Sequence, residues 1–594
     1  MKKNEFYVLR YYANYGQSNL RKISKATSIS LGTLSKIINT LKENKLIDEN
    51  GLTSKGKESL KPFEVKNAII MAAGMSTRLA PLSFDKPKGL FEIKGEILIE
   101  RQIKQLKEAG INDITLVLGY KKESFFYLGE KYDVKILINP SYETKNNCET
   151  LFLARERLSR TYICSCDQYF TINPFNKYEY QTFYTTVFDK HDTIEPRVTL
   201  GSNNRIIHLE KGTNGDYIIL GFAFFNEEFS SSFRKLLERK HPSGELDNTF
   251  WENAFAKYIN KLPPMYISRR ENGTIFEFDN LKQLRAFDQK YIENTESIIM
   301  QNISKVLNCH EGEIINFRPI QEGLTNTSYS FEVKNNKYVY RHPGEGTKAF
   351  INRENEKAAL KIAKKLGIDP TYIKMSSKEG WKISKYIDNT HSPDYKNDKD
   401  SKIVIAKMKE LHDKNQVVDF EFNAWKDALK LERKIRKIQS IDMPDFDDLK
   451  NKIHKIFNKV DKDGLVSKRL CHCDTYKPNW LIKNDMSDAI LIDWEYSGNS
   501  DPGVDVGYYI VDALYDFDEA KRFIKMYLGN EYSLALEEHY MSYVAIIAYY
   551  WFVWALYKQA IGSVMGEIIY NWYFMAKKYS NYCLRNYKYD WGFI

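Results

Sequence analysis

Hydrophobic residues at positions 1–60 recur at helical spacing and predict three short helices followed by a hairpin. In the third predicted helix, Leu34, Ile38 and Leu41 fall on one face. The run at 46–53 alternates around Asn50 and Gly51, as a hairpin does. The helices are predicted at residues 5–15, 20–27 and 31–44.

The same segment carries 11 basic and 5 acidic side chains, a net charge of +6. Its element order resembles a winged helix-turn-helix, in which a helix enters a DNA groove. That resemblance would direct Ser30, Thr33, Ser35 and Lys36 toward DNA. A helical module for dimerisation or docking is an equal alternative, because a fold does not establish a function.

Strand and helix patterns alternate between positions 66 and 290 and predict a Rossmann-like α/β domain with a mostly parallel, mixed sheet. The predicted strands are short apolar runs, whereas the predicted helix at 98–109 has one apolar face. The strands are predicted at residues 65–71, 113–118, 134–138 and 162–165.

The rest of the chain predicts an α+β domain that is rich in helices. A strand pair at 327–333 and 337–341 precedes a helix at 352–366, and the charged stretch 385–402 is expected to form a loop. The longest apolar run extends from Tyr543 to Tyr557 and ends at Lys558. It is shorter than the roughly 20 residues that a membrane span needs, so we expect a buried helix and no membrane insertion.

A chain of 594 residues is too long for one core. We predict three domains, at residues 1–60, 65–295 and 300–594. The net charge of +10 suits anionic ligands, and the seven cysteines show no spacing typical of zinc or disulfides. The first residues lack the apolar run of a signal peptide. These features predict a cytoplasmic protein.

The first chemical motif is AAGMSTRLAP at residues 72–81, which continues to KPK at 86–88. It follows a predicted buried strand. Gly74 lacks a Cβ, so the backbone can approach a phosphate closely. Arg78 and Lys88 would neutralise charge as pyrophosphate leaves. The residues expected to bind nucleotide through this loop are Ala72, Ala73, Gly74 and Thr77.

The motif and the segment around it, from about position 66 to 290, resemble the nucleotidyltransferases that activate sugar phosphates and phosphocholine. The resemblance implies that Asp167 and Asp279 hold Mg²⁺ on the nucleotide, with Glu277 as the competitor of Asp279. It also favours phosphocholine, with Trp251 in an aromatic wall for a quaternary ammonium. A core tryptophan is the alternative for Trp251.

The second chemical motif is His472-x-Asp474 with Asn479, followed after an apolar run by Asp493. This spacing is typical of kinase-like phosphotransferases. Asp474 would accept the proton of an attacking hydroxyl, and Asn479 and Asp493 would hold Mg²⁺ on ATP. We expect His472 to support the loop.

These residues resemble the choline and aminoglycoside kinases rather than protein kinases. The resemblance implies a phosphate-covering loop at 323–327 that includes Asn326, and it implies that Arg341 contacts the phosphates. Glu356 would pair with Arg341, with Glu354 as its competitor. The tryptophans implied to bind the head group are Trp551 and Trp554; an aromatic stripe in the core is the alternative.

Together the resemblances predict a bifunctional enzyme. The C-terminal domain would phosphorylate choline with ATP, and the central domain would join phosphocholine to CTP, as in bacterial decoration of surface glycans with phosphocholine. One alternative is a sugar or amino-alcohol kinase fused to a sugar-1-phosphate nucleotidyltransferase. Another is a DNA-binding regulator, with DNA bound by residues 1–60, whose enzyme-like domains only sense ligands.

Overall fold

The computed structural model describes residues 1–189, 196–211, 216–320, 326–344 and 351–587. The chain divides into two compact units. The first unit consists of Met1–Asn302 and His310–Gly312, and the second of Ile303–Cys309 and Glu313–Ile594.

The N-terminal segment 1–60 lies in the first unit and contains the predicted helices and hairpin, at close to the expected positions. Asn19 and Ser30 begin the second and third helices, because each side-chain oxygen accepts a hydrogen bond from a backbone N–H of the first turn. The elements are α1 (Lys3–Tyr15), α2 (Leu20–Thr27), α3 (Leu31–Glu43), β1 (Ile47–Asp48), β2 (Gly51–Leu52) and α4 (Ser54–Leu60).

These helices share a core with a later segment of the same unit. Phe6 packs on Phe63 with ring centroids 4.9 Å apart, and Phe63 stacks on Tyr180 at 5.5 Å. Arg10 forms an ion pair of 2.7 Å with Glu179, whose side chain is 6% exposed. Removing one partner of such a pair leaves an uncompensated charge. The N-terminal helices are therefore integral to the packing of the first unit.

The rest of the first unit is the predicted α/β domain. Its strands are β3 (Asn67–Ala72), β4 (Glu92–Ile93), β5 (Glu96–Ile97), β6 (Ile114–Leu118), β7 (Lys135–Ile138), β8 (Thr161–Ser165), β9 (Gln168–Phe170), β10 (Phe183–Phe188), β11 (Pro196–Leu200), β12 (Ile206–Lys211), β13 (Tyr217–Phe225), β14 (Tyr266–Arg270) and β15 (Ile275–Glu277). Its helices are α5 (Leu82–Asp85), α6 (Leu98–Glu108), α7 (Tyr127–Tyr132), α8 (Asn147–Leu153), α9 (Glu227–Lys240), α10 (Trp251–Tyr258), α11 (Leu281–Phe287) and α12 (Lys290–Glu293).

The main sheet of this unit is mixed. Its order is β12-β11-β13-β8-β3-β6-β7, and β8, β3, β6 and β7 are mutually parallel. The buried apolar residues of β3, β6 and β8 explain why these strands lie at the centre. Ligands of open α/β sheets bind beyond the carboxyl ends of parallel strands, and the loop after β3 lies at such an end.

The second unit contains a five-strand antiparallel sheet, of order β16-β17-β18-β20-β19, and a helical region. Its strands are β16 (Ile315–Ile320), β17 (Thr327–Val333), β18 (Asn336–His342), β19 (Tyr372–Met375), β20 (Lys382–Lys385), β21 (Thr390–His391), β22 (Arg469–Cys471), β23 (Trp480–Lys483), β24 (Ala489–Leu491) and β25 (Gly498–Ser500). Its helices, after α13 (Ile298–Leu307) at the boundary, are α14 (Arg353–Leu366), α15 (Asp398–Asp413), α16 (Ala424–Ile438), α17 (Phe446–Val460), α18 (Gly503–Asp512), α19 (Phe517–Leu528), α20 (Leu534–Ala560) and α21 (Ile568–Asn586).

The prediction of a loop over 385–402 is wrong in part. The strand β21 pairs with β23, and α15 begins at Asp398, where Asn397 accepts a hydrogen bond from Lys399 N. Asp398, Lys399 and Lys402 are exposed on the first turns of that helix, so their pattern resembled a loop.

The long apolar run belongs to α20, as the expected buried helix. By length and composition this helix could cross a membrane, but 94% of its most apolar stretch is buried within the protein. A buried core helix has the same composition as a membrane span, so the hydropathy of α20 is explained by its packing.

Candidate active sites

The loop after β3 lines a cavity of about 500 Å³ in the first unit. Tyr120 N donates to Ala73 O at 3.0 Å and fixes the loop against the end of β6. A Cβ added to Gly74 would meet no atom of the described residues within 4 Å, so this position faces open space. Ser76 has φ 51°, a left-handed conformation of the kind that clusters at ligand sites. The predicted residues on the lining are Ala72, Ala73, Gly74, Thr77 and Asp167.

Lys88 and Asp167 form the charged centre of this site. Lys88 Nζ lies 2.8 Å from Asp167 Oδ2, and the two side chains are 6% and 19% exposed. Burial lowers the pKa of Lys88, but Asp167, Glu277 and Asp279 outweigh it and raise the pKa above its usual value. Burial likewise opposes ionisation of Asp167, but Lys88 lowers the pKa of that carboxyl. Both groups are therefore charged at neutral pH.

Asp279 and Glu277 approach the centre because β15 pairs with β9 directly after Asp167. Asp279 Oδ1 lies 3.5 Å from a terminal nitrogen of Arg78, whose side chain is 67% exposed. Both acids act on the charge of Lys88. The two predicted metal-binding carboxylates, Asp167 and Asp279, thus both act on Lys88, and the exposed Arg78 contacts Asp279.

The geometry of Asp167 fits a divalent cation. Its Oδ1 atom is buried and makes no hydrogen bond to any part of the chain that the structure describes. A buried carboxylate oxygen without a partner is costly. Oxygen ligands of this kind are those that Mg²⁺ prefers.

Of the neighbours Phe250 and Trp251, Phe250 is the one that lines this cavity. Trp251 is 1% exposed and stacks on Tyr184 at 5.3 Å within the core. Its backbone N–H donates to Asn147 Oδ1 at 2.6 Å, which fixes the start of α10. Phe250 is 48% exposed and lines the cavity together with Tyr142. The structure therefore places Trp251 behind the cavity wall, and its role in head-group binding stays a prediction.

In the second unit, the catalytic-loop motif is held by buried hydrogen bonds. Asp505 accepts from His472 N at 2.9 Å and from Cys473 N at 2.6 Å. His472 Nε2 is 2.9 Å from Ile492 O, and burial lowers the pKa of its ring. A neutral ring that donates to a carbonyl is a structural support, as expected from the sequence.

Asp474 and Asn479 lie side by side, with Asn479 Nδ2 donating to Asp474 Oδ2 at 3.1 Å. Cations bind the oxygen of an amide and not its nitrogen, and this hydrogen bond orients the amide, so Asn479 Oδ1 is the atom that a metal ion would contact. Burial, followed by the charges of Asp493 and Glu495, raises the pKa of Asp474 well above its usual value. A cation at Asp493 would oppose that effect and favour the carboxylate.

Arg341 on β18 is the centre of a buried charge network. Its guanidinium lies 2.6 Å from Glu356 Oε1 and also contacts Asp493. Glu356 is fully buried, whereas Glu354 is exposed, so Glu356 is the partner of Arg341. Burial opposes ionisation of Asp493, but Lys382 and Arg341 lower its pKa.

Asn326 and Glu495 extend this network. Asn326 Nδ2 donates to Glu495 Oε2 at 2.8 Å, and Arg353 lies 2.9 Å from the same oxygen. Burial and then Asp493 raise the pKa of Glu495 to about 7. Residues 323–325 of the predicted phosphate-covering loop lie outside the described residues, and Thr327 begins β17.

One cavity of about 360 Å³ brings the second-unit residues together. Tyr508 stacks on Trp551 at 4.7 Å, and Trp551 meets Trp554 edge to face at 5.4 Å. Carboxylates and aromatic faces together suit an organic cation beside Asp474. The predicted residues on the lining are Asn326, Arg341, Asp474, Asn479, Asp493, Trp551 and Trp554, and Glu356 lies behind Arg341.

Sequence reasoning missed Lys382, Arg353 and Tyr508. Lys382 and Tyr508 line the cavity, and Arg353 joins Glu356 to Glu495. No motif marks these residues. Only strand pairing and helix packing reveal that they face the site.

Two family profiles match the chain. The profile of choline/ethanolamine kinases matches residues 317–580, and that of MobA-like NTP transferase domains matches residues 68–177. With the two charge centres, they define a bifunctional transferase with a choline kinase-like and a nucleotidyltransferase domain.

Individual relatives refine this class. The choline-phosphate cytidylyltransferase of Streptococcus pneumoniae is 32% identical over 222 residues, which are 37% of this chain and 96% of that protein. The 2-aminoethylphosphonate cytidylyltransferase of Lancefieldella rimae is 31% identical over 238 residues, 39% of this chain and 94% of that protein. Through its first unit, the chain belongs to this cytidylyltransferase family.

The kinase-like half has more distant relatives. Protein LicA of Haemophilus influenzae is 24% identical over 261 residues, 41% of this chain and 74% of that protein. Among solved structures, the choline kinase LicA of Streptococcus pneumoniae is 24% identical, with a TM-score of 0.43, and covers 48% of this chain and 99% of that chain. The CTP:phosphocholine cytidylyltransferase of the same species is 32% identical, with a TM-score of 0.37, and covers 38% and 97%.

Proposed function

We propose that the second unit phosphorylates choline with ATP and that the first unit condenses phosphocholine with CTP to CDP-choline and pyrophosphate. The observation that carries the proposal is the cavity in which Trp551 and Trp554 face the same space as Asp474. An acceptor there needs a cationic head and a hydroxyl, as choline has. The first unit accepts the phosphorylated product in this scheme, as the name of its Streptococcus pneumoniae relative suggests.

In the kinase reaction, Asp474 accepts the proton of the choline hydroxyl. The hydroxyl oxygen bonds to the γ-phosphorus of ATP as the bond to the bridging oxygen breaks, and ADP leaves. Arg341, held by Glu356, binds the phosphate chain. Asn479 and Asp493 are the proposed Mg²⁺ ligands; the bound ion would neutralise phosphate charge.

In the cytidylyl transfer, a phosphate oxygen of phosphocholine attacks the α-phosphorus of CTP, and the bond to the β-phosphate breaks. The loop at Ala72, Ala73, Gly74 and Thr77 surrounds the phosphates, because these residues line the cavity. Lys88 and Arg78 stabilise the charge of the leaving pyrophosphate. Asp167 and Asp279 are the proposed ligands of the Mg²⁺ there.

The acceptor of the first unit has a second candidate, because one relative is named for 2-aminoethylphosphonate. That molecule carries a primary ammonium, which donates hydrogen bonds, whereas a quaternary ammonium cannot. Tyr142 and Phe250 line the cavity with Glu143. Aromatic faces favour the trimethylammonium head, so we place phosphocholine first.

We further propose a winged helix-turn-helix at residues 1–60 that binds duplex DNA. The observation in favour is that Ser35 and Lys36 of α3 are exposed in a segment of net charge +6. Ser30 and Thr33 are engaged in the cap of α3 by mutual hydrogen bonds. A gel shift tests this proposal. Failure to retard duplex DNA at low salt would remove it, because phosphate contacts strengthen as salt falls.

The enzymatic proposal is tested by incubating the full chain with choline, ATP, CTP and Mg²⁺ and measuring CDP-choline by mass spectrometry. We expect phosphocholine as the intermediate and CDP-choline as the product. Parallel reactions with ethanolamine, 2-aminoethylphosphonate and sugar 1-phosphates compare acceptors. Turnover of one of these without CDP-choline would overturn the assignment. We place the domains at 1–60, 65–295 and 300–594 and the protein in the cytoplasm.

A further inference from the structure

Lys382 on β20 lies directly opposite Arg341 on β18 in the antiparallel register. Residues opposite one another share a face of the sheet, and like charges in such positions repel. Both side chains are buried, at 7% and 3% exposure. Two buried cations in neighbouring positions must therefore be stabilised by anions, from the protein or from a ligand.

The face that carries them is the cavity wall. Val339 pairs with Ser384 two positions along the same strands, and all four residues line the cavity with Asp474 and Asn479. Lys382 thus belongs to the wall that faces the proposed nucleotide.

The two cations share their anions but hold them differently. Arg341 is clamped between Glu356 and Asp493. Lys382 Nζ lies 3.2 Å from Asp493 and 3.9 Å from Glu356. A lysine is a point charge on a flexible stem, whereas the guanidinium of arginine is a rigid fork. Of the two, Lys382 is the one that can turn to a new anion.

The charge balance indicates when it does so. The ion pairs of this network join three cations, Arg341, Arg353 and Lys382, to three acidic side chains, Glu356, Asp493 and Glu495. If Asp493 engages a metal ion, Lys382 loses its nearest partner while Arg341 keeps Glu356. A nucleoside triphosphate remains anionic with one divalent cation bound. Its phosphates would therefore replace Asp493 as the negatively charged partner of Lys382.

We propose that Lys382 is a second phosphate-binding cation of the kinase site, which Asp493 holds until the nucleotide binds. The inference rests on the proposed use of ATP by this unit. It assigns Lys382 to the phosphate chain and not to the adenosine or to the acceptor.

The test is calorimetric titration of the full chain with a non-hydrolysable ATP analogue and, separately, with adenosine. Lys382→Met should weaken binding of the analogue about tenfold or more, the loss expected when a charge-assisted hydrogen bond is removed. Adenosine should bind as to the wild type. Lys382→Arg should retain most of the affinity, since it keeps the charge. Lys374→Met, on the exposed side of β19, is the matched control.

An equal loss for adenosine and the analogue would show a structural role and overturn the inference, as would an unchanged affinity. Lys382→Gln repeats the test if Lys382→Met does not fold. If the wild type binds no nucleotide, the kinase proposal fails together with the inference. If the analogue binds through Lys382 but choline is not phosphorylated, only the acceptor assignment fails.

Discussion

The two units arrange their charges in opposite ways. At the site of the first unit, the ion pair of Lys88 with Asp167 adjoins a loop of small residues, and Arg78 is exposed. In the second unit, three buried cations and three carboxylates form one connected network. Ligand binding at the first site is therefore expected to depend on the loop backbone and the open space beside it. The second site depends on side chains whose opposite charges compensate one another. Substitutions should act locally in the first and cooperatively in the second.

The largest expected effect is loss of one reaction by removal of its acid or base group. Asp474→Asn removes the proton acceptor and should lower choline phosphorylation by about 10²–10⁴-fold, while supplied phosphocholine is still converted to CDP-choline. Separate assays of the two half-reactions measure this. Loss of both in folded protein would contradict independent sites.

The reciprocal change is Asp167→Ala. It removes the partner of the buried Lys88 and a proposed metal ligand, so CDP-choline formation should fall by at least about 10²-fold while phosphocholine accumulates. Phosphocholine is quantified in the coupled reaction. Arg155→Ala, at a partly exposed ion pair, serves as a control that should leave both reactions intact. Normal CDP-choline formation by Asp167→Ala would remove this acid from the mechanism.

Breaking the network should destabilise the second unit. Glu356→Gln removes a carboxylate that pairs with both Arg341 and Arg353 and leaves the network one negative charge short, at a cost of about 3 kcal/mol. Scanning calorimetry should show a lower unfolding temperature for this unit. Glu354→Gln is the matched control, because Glu354 is exposed on the same helix. Equal stability of the two variants would contradict the network.

A smaller effect is expected at the loop of the first unit. In Gly74→Ala the new methyl group meets no atom of the described chain within 4 Å and instead occupies space proposed for a phosphate. The KM for CTP should rise about tenfold, a change of about 1.4 kcal/mol, with no change in unfolding temperature. Gly32→Ala, whose methyl group likewise faces open space, is the control. A destabilised Gly74→Ala would show that the loop is packed and not open.

The smallest effect concerns pH. His539 lies between Asp463 at 2.6 Å and Asp501 at 3.0 Å. Burial lowers its pKa, but these carboxylates outweigh burial and raise the pKa above the usual 6.5. Its stabilising contribution is full below the unfolded pKa and is lost as pH rises through the folded pKa. The unfolding temperature of the second unit should therefore fall over that range, and His539→Gln should flatten the decline.

Local patterns in the sequence predicted many of the helices and strands. The helices α1 to α3, the strands β3, β6 and β8, and the pair β17 and β18 were predicted because apolar spacing and turn residues are local signals. The start of α15 was missed, because exposed charges on a helix and in a loop look alike in one dimension. The mixed sheet order likewise depends on contacts between distant strands.

Adjacent aromatic residues show where sequence reasoning stops. Trp251 was the natural candidate for a head-group wall, but Asn147 fixes the start of α10 so that Trp251 enters the core and Phe250 faces the cavity. A shift of one residue at the start of α10 would exchange the positions of Phe250 and Trp251. The spacing of residues in the sequence does not predict which of them faces the cavity. Trp551 and Trp554, by contrast, lie three apart on one long helix and stay together on one face.

By itself, the sequence determined the two reaction classes, because the spacing of Gly74, Arg78 and Lys88 and of Asp474, Asn479 and Asp493 is set by phosphate chemistry along short stretches of chain. Only the tertiary structure decided which other groups join them. Strand register places Lys382 opposite Arg341 and so beside Asp493, and Arg10 reaches Glu179 through packing across 169 positions. An unpaired ion in the protein interior is energetically costly, so buried charges that are distant in sequence lie beside charges of opposite sign.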